Sequence, residues 1–181
     1  MTPNDAARFT SLYQDHRRHV YAYCRRRVYA ATVDDVVADV YLTVWRRIDD
    51  APTGEGARPW LYRIAYLVTS NHWRGMLRRK NLDAKLDSMG IASGVSVPDQ
   101  LILREEVRDA LQTLEALSDT DREIIKLSVW EHLSNDEISI VLDIEPNAVR
   151  QRLHRARKRL ASEHTKRYGS VSPTAQNGGE R

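Results

Sequence analysis

The stretch EPNAVRQRLHRARKRL, Glu145 to Leu160, decides how the C-terminal half of the chain folds and what it could bind. It holds six Arg or Lys residues and, after Glu145, no acidic residue. Apolar residues recur along it at spacings of four, three and four, which is one narrow stripe of an α-helix. They are Val149, Leu153, Ala156 and Leu160. Because Pro146 suits the first turn of a helix, we predict a helix that starts there and docks on a core.

The side of this helix opposite the stripe is polar and basic. Arg and Gln side chains near the start of a helix can make bidentate contacts with base edges in a major groove, and later basic residues suit phosphates. The candidate duplex-binding residues are Asn147, Arg150, Gln151, His154, Arg155 and Lys158. The alternatives are a solvated basic face on an ordinary helical hairpin or non-specific RNA binding. Membrane-surface binding is the weaker alternative, because the basic residues surround the helix.

The residues just before this helix predict a second, shorter helix. Ser134 and Glu137 have the capping-box spacing, and the apolar pattern runs through Leu142. A connection of about four residues around Asp143 to Glu145 then leads into the basic helix. The three parts together match a helix-turn-helix. Helical spacing also marks two preceding segments, from Leu103 to Leu117 and from Asp119 to Trp130.

The N-terminal half shows the same helical spacing. We predict a first helix after Thr2-Pro3, a second from about Val33 to Ile48 with a capping-box pattern at Thr32 and Asp35, and a third from near Arg58 to Lys80. The loop DDAPTGEGAR separates the last two. Since no alternating strand pattern competes, the predicted fold class is all-α.

Periodicity fades between the halves, where small residues accumulate. We therefore predict two small helical domains, residues 1–81 and 99–165, joined by a flexible linker at 82–98 and followed by a disordered tail at 166–181. With one cysteine, Cys24, no intramolecular disulfide is possible. The chain has neither eighteen successive apolar residues nor the layout of a signal peptide, so we expect a soluble cytoplasmic protein.

Charge is segregated along the chain although the formal net charge is only +3. Arg58 to Lys80 has six basic and no acidic residues, whereas Asp99 to Glu145 has thirteen acidic and four basic ones. This pattern predicts separate surfaces for separate partners.

Three segments resemble parts of the extracytoplasmic-function sigma factors of bacterial RNA polymerase. DREIIKLSVWEHLSNDEISIVLDIEPNAVRQRLHRARKRL, at 121–160, is similar to their C-terminal DNA-binding domain. DDVVADVYLTVWRRI, at 34–48, resembles the helix that grips the polymerase clamp, and RPWLYRIAYLVTSNHWRGMLRRK, at 58–80, the segment that opens the minus-ten element. The motifs occur in the family's order and cover nearly the whole chain up to the tail.

The resemblance implies a dissociable promoter-specificity subunit without catalytic chemistry or a cofactor. Its partners would be core RNA polymerase, promoter DNA at the minus-35 and minus-ten elements, and an anti-sigma factor. The acidic surplus between Asp99 and Glu145 would then face polymerase or solvent, away from DNA.

The resemblance also implies roles for particular residues. The residues expected to bind core polymerase are Asp35, Asp39 and Leu42. Those expected to bind minus-ten DNA are Arg63, Asn71, His72, Trp73 and Arg74, and Arg122 is expected to contact a backbone phosphate beside the minus-35 element. Alternatively, Asp35 only favours the start of its helix through the helix dipole, and Trp73 belongs to the core. The loop from Asp49 to Ala57 corresponds to the pocket for a flipped-out base.

The chain departs from the family pattern at four of these positions. Leu67 stands where the family often has Asn, Asn71 where it often has Asp, and Ala38 where Gln is common. Asp143 replaces a Gly in the turn, which Asp tolerates because it adopts left-handed backbone conformations better than most residues.

Other classes of protein remain as alternatives. A conventional helix-turn-helix regulator would act with a separate sigma factor and would need a sensory domain, which the sequence does not show. Asp34, Asp35 and Asp39 could be imagined as the carboxylate cluster of a metal-dependent nuclease. His16, His19 and Cys24 could be imagined as a zinc site, but no further thiol lies nearby.

Overall fold

The computed structural model describes residues 3–86 and 117–168, which form six α-helices and no β-strand. The helices are α1 (Pro3–Arg25), α2 (Val33–Arg46), α3 (Ala57–Leu86), α4 (Asp119–Val129), α5 (Asn135–Leu142) and α6 (Pro146–Tyr168). Short 3-10 turns lie at Ala30–Thr32, Ile48–Asp50 and Gly54–Gly56. The all-α prediction is confirmed for these residues. The helix predicted from Leu103, most of the linker and nearly all of the tail fall outside them.

Helices α1, α2 and α3 form an N-terminal group around one apolar core. Their inward positions are the ones that the helical spacing predicts, and α2 buries Val33, Val36, Val40, Tyr41 and Val44. The Arg8 guanidinium donates a 2.6 Å hydrogen bond to the carbonyl of Ala51, which ties the loop after α2 to α1. Helix α3 continues to Leu86, so residues 82–86, the first part of the predicted linker, are helical.

The predicted capping box at Thr32 is wrong. Thr32 has a φ of −114° and a ψ of 2°, which is not the extended conformation of a capping residue, and its side chain makes no capping hydrogen bond. The Thr32 hydroxyl donates instead to the carbonyl of Tyr29, at 3.0 Å. It thereby closes the 3-10 turn that precedes α2, and the free N–H groups of α2 gain nothing from it.

Helices α4, α5 and α6 form a C-terminal group with the geometry of a helix-turn-helix. Helix α5 starts with the predicted capping box, in which Ser134 and Glu137 bond each other's backbone N–H groups at 3.2 and 2.7 Å. It ends at Asp143, whose φ of 59° is left-handed, and α6 begins at the predicted Pro146. The turn therefore comprises three residues, 143–145, close to the predicted connection of about four.

The two groups pack directly against each other, α3 against α5, and their buried apolar side chains form one continuous cluster. Leu61, Ile64 and Ala65 contribute from α3, and Ile138 and Val141 from α5. None of the described helices combines the length and apolarity needed to cross a membrane.

Candidate DNA and polymerase interfaces

Helix α6 presents the polar surface that its sequence predicts. Val149, Leu153 and Ala156 are buried and Leu160 packs partly against the core, so the stripe fixes the orientation of the helix. All six predicted duplex-binding side chains on it are exposed, and they are Asn147, Arg150, Gln151, His154, Arg155 and Lys158. The first two helical turns thus offer base-reading groups that no described residue covers.

Two basic residues of α6 are used to hold the helix in place. Arg152 donates to the Asp121 carboxylate on α4 at 3.0 Å, and Arg157 donates to the Ser128 hydroxyl at 3.2 Å. Burial raises the pKa of Asp121, but the hydrogen bonds from Ser118 and Arg152 outweigh it, so the pKa lies below its ordinary value. The positive charge of α6 is therefore partly structural, although its exposed cations include Arg150, Arg155, Lys158 and Arg159.

Arg122, the predicted phosphate contact, lies in the first turn of α4. Its guanidinium donates to the carbonyl of Leu117 at 3.1 Å and lies 3.5 Å from the carboxylate of Asp119, which is 99% exposed. These contacts keep the cation at the N-terminal end of α4.

The predicted polymerase-binding face of α2 is exposed. Asp35, Asp39 and Leu42 follow each other at spacings of four and three on the side opposite the buried valines, and the structure brings them together on one surface. Leu42 is 45% exposed. The face therefore combines two carboxylates with an apolar contact.

An apolar groove of about 450 Å³ adjoins this face between α1 and α2. Phe9 and Trp45 meet edge to face in it, with ring centroids 5.1 Å apart, and Leu42 lines its rim. Burial raises the pKa of Tyr41, whose hydroxyl has no hydrogen-bond partner among the described residues. The groove extends the exposed α2 face towards the start of α1.

The predicted minus-ten residues lie along α3 in different surroundings. Asn71 and Arg74 are exposed and bonded to each other at 2.8 Å. His72 is half-buried, and its Nε2 has no partner among the described residues. Arg63 contacts the C-terminal group, donating to Asp143 at 2.9 Å and to the carbonyl of Ile140 at 3.1 Å. Thus Asn71 and Arg74 are exposed although bonded to each other, whereas Arg63 is engaged by the C-terminal group.

Trp73 packs within the N-terminal group. Its indole N–H donates to the carbonyl of Arg27 at 2.6 Å, and its ring lies 5.4 Å from that of Tyr29. The side chain joins α3 to the end of α1 in this arrangement.

Sequence reasoning missed a cluster of charged groups between the two helical groups, which we call the interdomain ion cluster. Glu131 accepts from Arg26 at 2.6 Å, from Arg27 at 3.0 Å and from the Tyr62 hydroxyl at 3.3 Å. Glu123 accepts from Arg27 at 2.9 Å and from the Tyr23 hydroxyl at 3.1 Å. Arg58 also donates to the carbonyl of Glu131. The cluster consists of Tyr23, Arg26, Arg27, Arg58, Tyr62, Glu123 and Glu131.

Burial perturbs the titration of this cluster. Desolvation, with the Glu131 charge nearby, raises the pKa of Tyr62 to about 12, and desolvation beside Glu123 holds that of Tyr23 well above its ordinary value. Burial alone would lower the pKa of Arg27, but Tyr23, Glu123 and Glu131 outweigh it and raise the pKa. Both hydroxyls therefore stay protonated as donors and Arg27 stays charged at neutral pH.

Part of the acidic surplus of the C-terminal half, which was expected to face polymerase or solvent, contacts the N-terminal group instead. Glu123, Glu131 and Asp143 all bond arginines of the N-terminal group. The Arg25-Arg26-Arg27 run at the end of α1 was the available signal, but its partners lie 96 to 105 residues away. Nothing local in the sequence pairs them.

The metal-dependent alternatives gain no geometric support. Among the residues whose side chains are described, no three His, Cys, Asp or Glu residues stand close enough to hold a metal ion. Cys24 is buried, and desolvation raises the pKa of its thiol to about 12, so it does not supply a thiolate at neutral pH.

Two family models match the chain, one in each helical group. The Sigma-70 region 2 family matches residues 12–79, and the Sigma-70 region 4 family matches residues 108–160. The match to region 4 includes the helix-turn-helix, and the match to region 2 includes the exposed α2 face and most of α3. A region 2 domain followed by a region 4 domain defines the class of sigma-70-type transcription initiation factors.

Curated relatives narrow the class. The chain is 30% identical over 164 residues to the ECF RNA polymerase sigma-E factor of Escherichia coli K12, covering 86% of each protein. It is also 30% identical over 166 residues to the RNA polymerase sigma factor NccH of Alcaligenes xylosoxydans, covering 87% of each. The chain belongs to the extracytoplasmic-function sigma factors of the sigma-70 family.

Solved structures agree in fold. CnrH, in complex with the cytosolic domain of CnrY, superimposes with a TM-score of 0.59 at 24% identity over 87% of this chain and 88% of CnrH. The sigma factor RpoE of Bartonella quintana, in complex with the anti-sigma factor NepR, gives 0.62 at 18% identity over 87% and 96%.

Proposed function

We propose that this sigma factor binds core RNA polymerase through the α2 face, recognises the minus-35 element with α6 and engages melted minus-ten DNA with α3. The observation that carries the proposal is the free polar surface of α6, which begins directly after the capped helix α5 and its turn. Arg150 and Gln151 stand in its first two turns, where base-edge contacts are made. Arg155 and Lys158 follow one and two turns later, where they suit phosphates.

Core binding is assigned to Asp35, Asp39 and Leu42 because they are exposed together on a helix whose other side is fully packed. The adjoining apolar groove offers further contact area to the same partner. Minus-ten binding is assigned to the α3 surface with Arg63, Asn71, His72 and Arg74, where cations and planar side chains suit melted strands. Trp73 supports this surface by fixing α3 on α1.

Control by an anti-sigma factor is part of the proposal. CnrH and the Bartonella RpoE were each solved with a bound partner, and both share the fold of this chain. A partner that covers the α2 face or α6 would block polymerase or promoter binding. The protein would work in the cytoplasm, without a cofactor or catalytic chemistry of its own.

The decisive experiment is reconstitution of transcription. Purified protein and core polymerase, without any other sigma factor, should initiate at specific promoters on genomic DNA of the source organism. Sequencing of the transcripts would give both promoter elements. A conventional regulator would yield specific transcripts only when another sigma factor is added, and a nuclease would cut the template without polymerase.

Replacing Arg150 with Ala tests the role of α6. We expect transcription from promoters with the minus-35 element to fall about 5- to 150-fold, because a bidentate base contact contributes about 1–3 kcal/mol of discrimination. Affinity for core polymerase should not change. Arg159→Ala removes the same charge later on α6 and should weaken binding to all sequences alike. Equal losses from promoters with and without the element would contradict base reading by Arg150.

Replacing Asp39 with Arg tests the role of α2. Charge reversal inside an interface costs several kcal/mol, so affinity for core polymerase should fall at least about tenfold in a competition assay. Asp15→Arg makes the same charge change on an exposed position of α1 and should have little effect. If both variants compete for core like the unmodified protein, the α2 face is not the binding surface.

A further inference from the structure

The interdomain ion cluster covers a basic surface of the N-terminal group that has no role in the proposed function. Arg26 and Arg27 lie at the end of α1, and Arg58 lies in the first turn of α3. Arg27 is 5% exposed, because the C-terminal group lies over it. Three arginines therefore converge on one patch, which, among the described residues, α4 and the following turn partly cover.

The groups that cover this patch are carboxylates, and the arginines contact them as arginines contact phosphate groups. Arg27 contacts both carboxylates, with its Nη2 2.8 Å from Glu123 and its Nη1 3.0 Å from Glu131. Arg26 and the Tyr62 hydroxyl donate to the other oxygen of Glu131, whereas the Tyr23 hydroxyl donates to the same Oε1 of Glu123 that Arg27 contacts. Planar guanidinium groups match carboxylate and phosphate oxygens equally well. Each carboxylate thus occupies a place that a phosphate group could fill.

Promoter binding requires these two helical groups to separate. The centres of the minus-35 and minus-ten elements lie about 25 base pairs apart, or about 85 Å along the duplex. In this structure Arg63, which we assign to the minus-ten element, touches Asp143, three residues before α6 begins. A domain of about 100 residues has a radius of gyration of only about 13 Å. The packed arrangement is therefore too short to reach both elements.

Separation would leave the patch uncovered and without its carboxylates. We propose that Arg26, Arg27 and Arg58, with the hydroxyls of Tyr23 and Tyr62, then bind the phosphate backbone of promoter DNA, and that Glu123 and Glu131 mimic phosphates to block this site in the packed protein. This inference rests on the proposed function, which supplies the DNA. It adds a nucleic-acid site next to the α3 surface, which is closed while the two groups are packed together.

The site is expected to bind backbone without reading sequence. Its donors are guanidinium and hydroxyl groups, which contact phosphate oxygens, and the tyrosine rings stay packed on each other with centroids 5.3 Å apart. Arg63 lies on the same helix as Arg58 and is also paired with a carboxylate of the C-terminal group, the exposed Asp143. The patch and the proposed minus-ten surface would therefore be uncovered together.

The test uses the full chain and measures the anisotropy of a short labelled oligonucleotide. Glu123→Gln with Glu131→Gln removes both mimics, and we expect affinity for single-stranded DNA to rise about tenfold or more, since the binding-competent fraction rises. The control, Asp15→Asn with Asp136→Asn, makes the same charge change on two exposed residues outside the cluster and should change affinity much less. Glu131→Arg is a second opening variant, because its cation would face Arg26 and Arg27. X-ray scattering measures the radius of gyration of both opening variants, and the more expanded of the two is used for the comparison.

Removing the arginines in the opened variant tests the site itself. The ion cluster is already broken there, so adding Arg26→Ala with Arg58→Ala should abolish the gain. It should also reduce the magnitude of the slope of log affinity against log salt concentration by about 1.4, because two phosphate contacts are lost and each contributes about 0.7 on single strands. A duplex of the same sequence, measured in parallel, tells whether melted or paired DNA is the better ligand.

Three results would each overturn the proposal: no gain in the expanded variant, a gain that survives loss of Arg26 and Arg58, or an equal gain in the charge control. Displacement of the oligonucleotide by poly-glutamate as readily as by DNA would assign the patch to acidic proteins instead. Transcription by reconstituted holoenzyme is a separate readout. Its absence would refute the proposed function, whereas normal transcription without the affinity gain would refute only the masked site.

Discussion

Asp143 performs two tasks at the turn between α5 and α6. Its φ of 59° lies in the left-handed region of backbone conformations. Most residues are destabilised there by about 1–2 kcal/mol, whereas Gly adopts this conformation readily and Asn and Asp adopt it more readily than other residues. Its carboxylate also reaches Arg63 on α3, at 2.9 Å. A Gly, which the family often has at this position, could make the turn but could not reach Arg63. The departure from the family pattern therefore links the turn to the N-terminal group.

Substitutions at Asp143 separate these two tasks. Asp143→Ala should lower the free energy of unfolding by about 1 kcal/mol, because Ala has no polar side chain to support a left-handed conformation. Asp143→Asn should have a free energy of unfolding within about 0.5 kcal/mol of that of the unmodified protein. It keeps the turn and loses only an exposed ion pair, in which the side chain of Arg63 is 30% exposed and that of Asp143 is 80% exposed. Urea unfolding measures both. An Ala variant as stable as the Asn variant would contradict the conformational argument.

At the scale of the helix, two similar sequence patterns have different outcomes. Ser134 and Glu137 form the predicted capping box, whereas Thr32 and Asp35 do not. Ser134 follows a loop and is free to take the extended conformation that a cap requires, with a φ of −67° and a ψ of 165°. Thr32 belongs to a 3-10 turn that leads straight into α2. The cap pattern predicts a helix start in both cases, but the backbone before it decides whether the cap forms.

Ser134→Ala should destabilise the C-terminal group. Loss of a capping side chain costs about 1 kcal/mol, which corresponds to a fall of about 2–4 °C in the melting temperature of a chain of this size that unfolds as one unit. Ser139→Ala is the matched control, because the hydroxyl of Ser139 donates only to the carbonyl of Asp136, within α5. Thermal unfolding followed by circular dichroism compares them. Equal melting temperatures for the two variants would show that the capping box contributes nothing.

At the scale of the whole molecule, the sequence predicts the helices and their exposed faces but not how the halves meet. The stripe of Val149, Leu153 and Ala156 has a period that can be counted along the chain, and so α6 was predicted with its buried side. The contacts of Arg27 with Glu123 and Glu131 have no such period, since they join positions about a hundred residues apart. Charge segregation indicated separate partners, and the structure makes each half a partner of the other.

The buried position of Glu131 predicts that the two halves unfold together. Its side chain is 2% exposed and neutralises Arg26 and Arg27, so Glu131→Ala would leave the buried Arg27 short of a partner, at a cost of about 3–5 kcal/mol. That cost falls on the packed arrangement alone, because each cation can regain water once the halves separate. Calorimetry should show one transition for the unmodified protein and two for Glu131→Ala.

The control is Asp50→Ala, which removes an exposed ion pair with Arg47. It should keep a single transition, with a free energy of unfolding within about 0.5 kcal/mol of that of the unmodified protein. One transition in the Glu131 variant would mean that the apolar contacts between α3 and α5 hold the halves together without the ion cluster.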